Sequence, residues 1–173
     1  MDLDQVLFDV RKLPTSTDSD KGFKGLMFGV IYALRHAGEL GFRNRTGAMV
    51  GPDYSAELDE AGVALTNHQQ MPRDWLAGFY FNSALVRITG GSHRAFRRLF
   101  KTSKGWFSEL ADRAISDGKL NEQEIDWLRK VYEDVNAFKH DGHAELLQRR
   151  QIETLQQGIN AAGQLVRLIN KAV

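Results

Sequence analysis

The sequence predicts an all-α protein, an antiparallel helical bundle built on four long helices. Three observations predict it. Apolar residues recur at spacings of three and four along most of the chain, the helical period. Turn signals, Pro14, Gly41, the Gly-Pro-Asp at 51–53 and Asp117-Gly118, fall between those stretches. The last stretch, Ile152, Leu155, Ile159, Ala162, Val166, Ile169 and Val173, keeps the helical spacing without a fault. At 173 residues, 42% of them hydrophobic and 26% charged, the chain suffices for one domain with a real core, spanning residues 1–173.

Taken in order, Leu3, Val6, Leu7 and Val10 predict a short amphipathic helix that ends before Pro14. Thr15 to Lys21 reads as a polar loop. Phe23, Leu26, Met27, Val30, Ile31 and Leu34 predict the first long helix, with Gly41 as its stop. Residues 42–71 carry a Gly-Pro-Asp turn at 51–53 and two short apolar patches, and read as an irregular insertion or a small hairpin. Pro72 opens the second long helix, through Trp75, Phe79, Ala84 and Ile88, and Gly90-Gly91 predicts a kink or break in it. A short helix is expected over 104–116. Asn121-Glu122-Gln123-Glu124 is a capping box for a helix reaching about Gly142, and the 152–173 stripe completes the bundle.

Composition excludes several classes. With no cysteine, disulfides and thiolate metal sites are ruled out. The acidic start, MDLDQVLFDV, lacks the order of a signal peptide, and no apolar run reaches the length of a membrane span. A cytoplasmic, non-membrane protein is expected. The net charge of +1 hides segregation: from Trp75 to Ser108 there is no acidic residue, while Arg87, His93, Arg94, Arg97, Arg98, Lys101 and Lys104 lie there.

Two clusters bear chemistry. Asn136, Lys139 and His140 stand at i, i+3 and i+4 and share one helix face. An amide, a cation and an imidazole together suit an anionic ligand or proton transfer, and equally suit a solvated last turn. Arg129 and Glu133 on the same helix have the spacing of a surface ion pair. Arg94, Arg97, Arg98 and Lys101 fall at i, i+3, i+4 and i+7, a basic stripe able to neutralise phosphates without reading sequence. The alternative for that stripe is a solvated face offset by the acidic residues at 53–60. His140-Asp141-Gly142-His143 is a poor metal site, because Gly142 separates the imidazoles by a loop; no metal or other cofactor is expected.

Asn136-x-x-Lys139-His140 on the penultimate helix, preceded by the helix with Trp75-Leu76-Ala77-Gly78-Phe79-Tyr80-Phe81-Asn82, resembles the HEPN superfamily over roughly residues 23–40 and 73–171. The resemblance implies a HEPN-like four-helix bundle, a homodimer, and a role on RNA or nucleotides, often as a metal-independent endoribonuclease of defence or toxin–antitoxin systems. It maps His140 onto the catalytic histidine and Asn136 onto the polar residue after the motif arginine. Val135 then stands where that arginine would be, so Lys139, or Arg87 from the neighbouring helix with Asn82, would supply the positive charge. The expectation is an RNA-directed module of a bacterial defence or toxin–antitoxin system. The alternatives are a non-catalytic interaction subunit, bound to an antitoxin or defence partner, and a nucleotide-binding module.

Overall fold

The structure, a computed structural model, describes residues 1–42, 73–140 and 152–173; inside the helices the side chains of Asp74, Trp75, Phe138, Lys139 and His140 are outside the description. Six α-helices and no strand are formed by the described residues: α1 (Leu3–Arg11), α2 (Asp18–Glu39), α3 (Arg73–Leu99), α4 (Phe107–Ser116), α5 (Glu122–His140) and α6 (Leu155–Ala172). The all-α class follows directly, and the four long helices expected are α2, α3, α5 and α6. The irregular insertion or hairpin expected at 42–71 lies outside the described residues, except for Phe42.

Side-chain contacts give the directions. Arg98 of α3 meets Asp20 near the start of α2, and Arg73 donates to the carbonyls of Glu39 and Leu40 at its end, so α2 and α3 are antiparallel. Gln164 of α6 bonds Trp127 of α5, while Lys171 reaches Glu124, so α5 and α6 are antiparallel too. In α3 and α6, Phe81 pairs with Gly158 and Gly91 with Leu165, which sets these two helices parallel. The four long helices therefore run up, down, up and down, with short α1 packed on α2 and α6 and short α4 on α3 and α5.

Where helices begin is decided by local chemistry. Thr17 accepts from the Asp20 amide at 3.1 Å and Asp20 accepts from the Thr17 amide at 3.1 Å, a reciprocal cap that starts α2 at Asp18. The polar loop expected through Lys21 is thus shorter, because polarity here marks a cap rather than a loop. Thr154 and Gln157 make the same box for α6, and Asn121 and Glu124 for α5, as their sequence spacing predicts. The short helix starts at Phe107, not at residue 104, since 100–106 forms a tight turn.

The break expected at Gly90-Gly91 does not occur: α3 is continuous from Arg73 to Leu99. Gly91 is there for proximity. A Cβ on it would sit 2.9 Å from a methyl of Leu26 and 3.1 Å from one of Leu165, so its bareness lets α2 and α6 close on α3. Gly158 plays the same part in α6, where a Cβ would meet the buried Phe81 ring at 2.9 Å and Leu34 at 3.2 Å. Alanine normally improves a helix by about 0.5–1 kcal/mol over glycine. Overpacking a core typically costs about 1–3 kcal/mol. Chemical denaturation of Gly158→Ala should therefore show a net loss of about 1 kcal/mol, whereas exposed Gly25→Ala, with nothing within 4 Å, should gain up to about 1 kcal/mol. Equal gains at both positions would mean that close helix approach does not depend on Gly158.

Candidate nucleic-acid interface

The helix bearing the Asn136 cluster is oriented by its apolar stripe. Ile125, Leu128, Val131 and Val135 are buried, which turns the opposite side of α5 outward. Asn136 is on that outer side, exposed and hydrogen-bonded to no described residue. An exposed amide of this kind adds little to the helix and takes no part in the described core. Positions 139 and 140 are helical, one turn further on, but the side chains of Lys139 and His140 lie outside the described residues, as does His143. Val135, at the place of the family's arginine, is 3% exposed and belongs to the core. The register of the helix alone makes that position unsuitable for a cation.

Arg129 and Glu133 do not form the pair their spacing predicts. Arg129 instead reaches Asp112 of α4 at 2.6 Å, tying α4 to α5, and Glu133 is left exposed. An inter-helix partner with better geometry outcompetes the weak pairing along one helix.

The basic stripe of α3 divides on inspection. Arg98 lies 2.7 Å from the Asp20 carboxylate, whose side chain is only 3% exposed, and also meets Ser19. Arg94 covers the face of Phe23 with its guanidinium 4.7 Å from the ring centre. Arg97 and Lys101 make no ion pair among the described residues, and neither does Lys104 beyond the helix end. Arg87 is exposed, donates to Ser83 at 2.5 Å and lies along Gly29 of α2. Asn82, on the same helix, is half-buried and engaged. No hydrogen bond or ion pair among the described residues joins Arg87 to Asn136. Of the stripe and the turn after it, Lys101 and Lys104 are the exposed cations without an acid partner among the described residues.

Burial opposes ionisation of Asp20, but its bonds from Arg98 and from Thr17 outweigh that, and its carboxyl is held below its ordinary 3.8. Glu124 is held low as well, chiefly by the Lys171 ammonium and the Asn121 amide. A carboxyl depressed in the folded state stabilises the fold above its unfolded value, and that contribution disappears as pH falls through the folded value. Asp20→Asn should lower the thermal midpoint at neutral pH, with the difference from wild type shrinking below about pH 4. A difference that stays constant across the acid range would show that charge on Asp20 is not what matters.

Two groups escaped the sequence reading. Tyr32, His36 and Glu39 stand one helical turn apart on α2 and form a chain, with His36 Nε2 2.8 Å from the Tyr32 hydroxyl and His36 Nδ1 3.1 Å from the Glu39 carboxylate. Such a chain can pass a proton, and it also suits the C-terminal dipole of α2. Its spacing of four and three is legible in the sequence, but only the structure shows that the three side chains meet. Asp134, buried and engaged, was missed because its neighbours in sequence drew attention to the outer face. Among the described residues no group of three or more His, Asp or Glu could hold a metal ion, and no helix is long and apolar enough to cross a membrane. No family model, curated protein or solved structure matches the chain.

Proposed function

We propose that the chain is an RNA-directed, HEPN-like module of a bacterial defence or toxin–antitoxin system. In this reading Asn136, Lys139 and His140 form a ribose and phosphate patch, and the cations of α3 hold the strand. The observation that carries it is the outward amide of Asn136, bonded to no side chain among the described residues, on the face of α5 that positions 139 and 140 continue. An up-down all-α bundle and the exposed Lys101 and Lys104, which pair with no acid among the described residues, support it. Cleavage would follow from His140 acting on the ribose 2′-hydroxyl, with no metal ion. A homodimer and a protein partner, an antitoxin or a defence subunit, belong to the same proposal, and sedimentation of the purified chain tests the first.

One observation favours a second reading. Val135 is buried where the family keeps its arginine, which suits a module that binds RNA, a nucleotide or a protein without cutting. Incubating a mixed RNA pool with the protein in EDTA separates the two. Cleavage by wild type that His140→Ala loses supports the ribonuclease, and RNA binding without cleavage supports the non-catalytic module. Neither binding nor cleavage would sink the RNA-directed proposal.

A further inference from the structure

We propose that Trp106 is a stacking platform for one unpaired base of a single-stranded RNA, with Lys101 and Lys104 on the adjoining phosphates. The inference rests on the RNA-directed reading and says where on the molecule the strand lies. Trp106 is 71% exposed, more than any other large apolar side chain among the described residues. Aromatic side chains are usually sheltered, and one held out in water just after two exposed lysines has the composition of a surface that takes up nucleotides in any sequence.

The turn that presents it is not loose. The Thr102 amide bonds the Arg97 carbonyl at 2.9 Å, and the Lys104 amide bonds the Thr102 hydroxyl at 3.1 Å. His93 Nε2 holds the Gly105 carbonyl at 2.9 Å, and the Trp106 amide donates to Glu109 at 3.0 Å. The backbone that carries the tryptophan is therefore set in place before any ligand arrives, which lowers the ordering cost of the turn on binding. Lys101 has φ +50, the left-handed conformation that favours glycine. Keeping a lysine in a position that penalises it marks the side chain as useful.

Charge favours the same occupant. Neither Lys101 nor Lys104 is neutralised by a described acid; Asp112 and Asp117 pair with Arg129 and Arg113, and Glu109 caps the Trp106 amide while keeping its charge. An anionic membrane would also attract lysines beside a tryptophan, but insertion requires an apolar face. Trp106 is the only large exposed apolar residue among the described residues from 87 to 140. A lone ring among cations fits a base better than a bilayer. The platform also adjoins the proposed site. Phe107, next to Trp106, stacks on Tyr132 of α5 with ring centres 4.4 Å apart and planes within 8°. Asn136 follows Tyr132 by one helical turn on that helix.

The test is fluorescence anisotropy of a labelled oligouridylate, roughly 12 nucleotides long to exceed a typical single-strand site, titrated at several salt concentrations. Trp106→Ala should weaken binding on the order of tenfold and Trp106→Phe should retain most of it. Lys101→Gln with Lys104→Gln should flatten the salt slope by about 1.4, two phosphates' worth on a single strand. Lys101→Gly should raise the thermal midpoint yet weaken binding, a split that a purely structural turn would not produce. If wild type binds and Trp106→Ala binds equally well, the platform is overturned while the RNA reading stands. If wild type does not bind RNA at low salt, both fail. Partition into phosphatidylserine–phosphatidylcholine vesicles that requires Trp106, with no RNA binding, would replace the strand by a membrane.

Discussion

Replacing His140 by alanine is expected to reduce metal-independent RNA cleavage by about 10²–10⁴-fold, the usual contribution of one positioned acid or base. EDTA should leave the wild-type rate unchanged, because the proposed step uses no metal. Asn136→Ala should cost less, about tenfold, since an uncharged amide orients the phosphate without exchanging a proton. Circular dichroism should remain that of wild type for Asn136→Ala, whose side chain is exposed and bonds no described residue. The position before it supplies a control on register. Val135 is 3% exposed, so Val135→Arg places a cation in the core and should destabilise the protein without creating the family's active motif. An increase in cleavage by Val135→Arg would contradict an outward-facing site.

Gln164→Leu should lower stability by about 1–3 kcal/mol, because two amides and one carbonyl of α5 lose a buried side-chain partner. The side chain of Gln164 is nearly enclosed, with 8% of the residue exposed. Its carbonyl accepts from the amides of Trp127 at 2.8 Å and Leu128 at 3.2 Å, and its amide donates to the Gln123 carbonyl at 2.7 Å. In a regular helix the Trp127 amide would meet the Gln123 carbonyl, so the glutamine bridges both ends of one rung of α5. Leucine offers similar volume and no polar atoms. Against a typical total of about 5–15 kcal/mol, the loss should be plain in urea denaturation. A loss below about 1 kcal/mol would mean that α5 closes the rung by itself once the glutamine is gone.

Much of the fold was legible because burial follows period. The apolar spacing of α2, α3 and α5 locates the core, while α6 is buried on nearly every side, beyond the one face its stripe predicts. Gly90-Gly91 misled because glycine has two uses in a helix, weakening the backbone and permitting close approach. Only the position of Leu26 and Leu165 shows which applies. The basic stripe was legible as a face, but Asp20 lies 78 residues before Arg98, and the chain offers no local sign that one arginine is consumed by it. Trp106 escaped notice because no periodicity says whether an aromatic residue at a helix start is tucked in or held out. Gln164 was hidden in an apolar stripe, where a lone amide resembles a tolerated substitution rather than a bond to another helix.

The stack of Phe107 on Tyr132 makes the interval between the α4 start and the outer face of α5 a constant of the fold. From Tyr132 to His140 the helix rises about 12 Å. A strand anchored at one end of that interval and cut at the other would be measured as against a gauge, and its fragments would share one length from the anchored base. Loosening the stack with Phe107→Ala would then blur the lengths before it slowed the reaction.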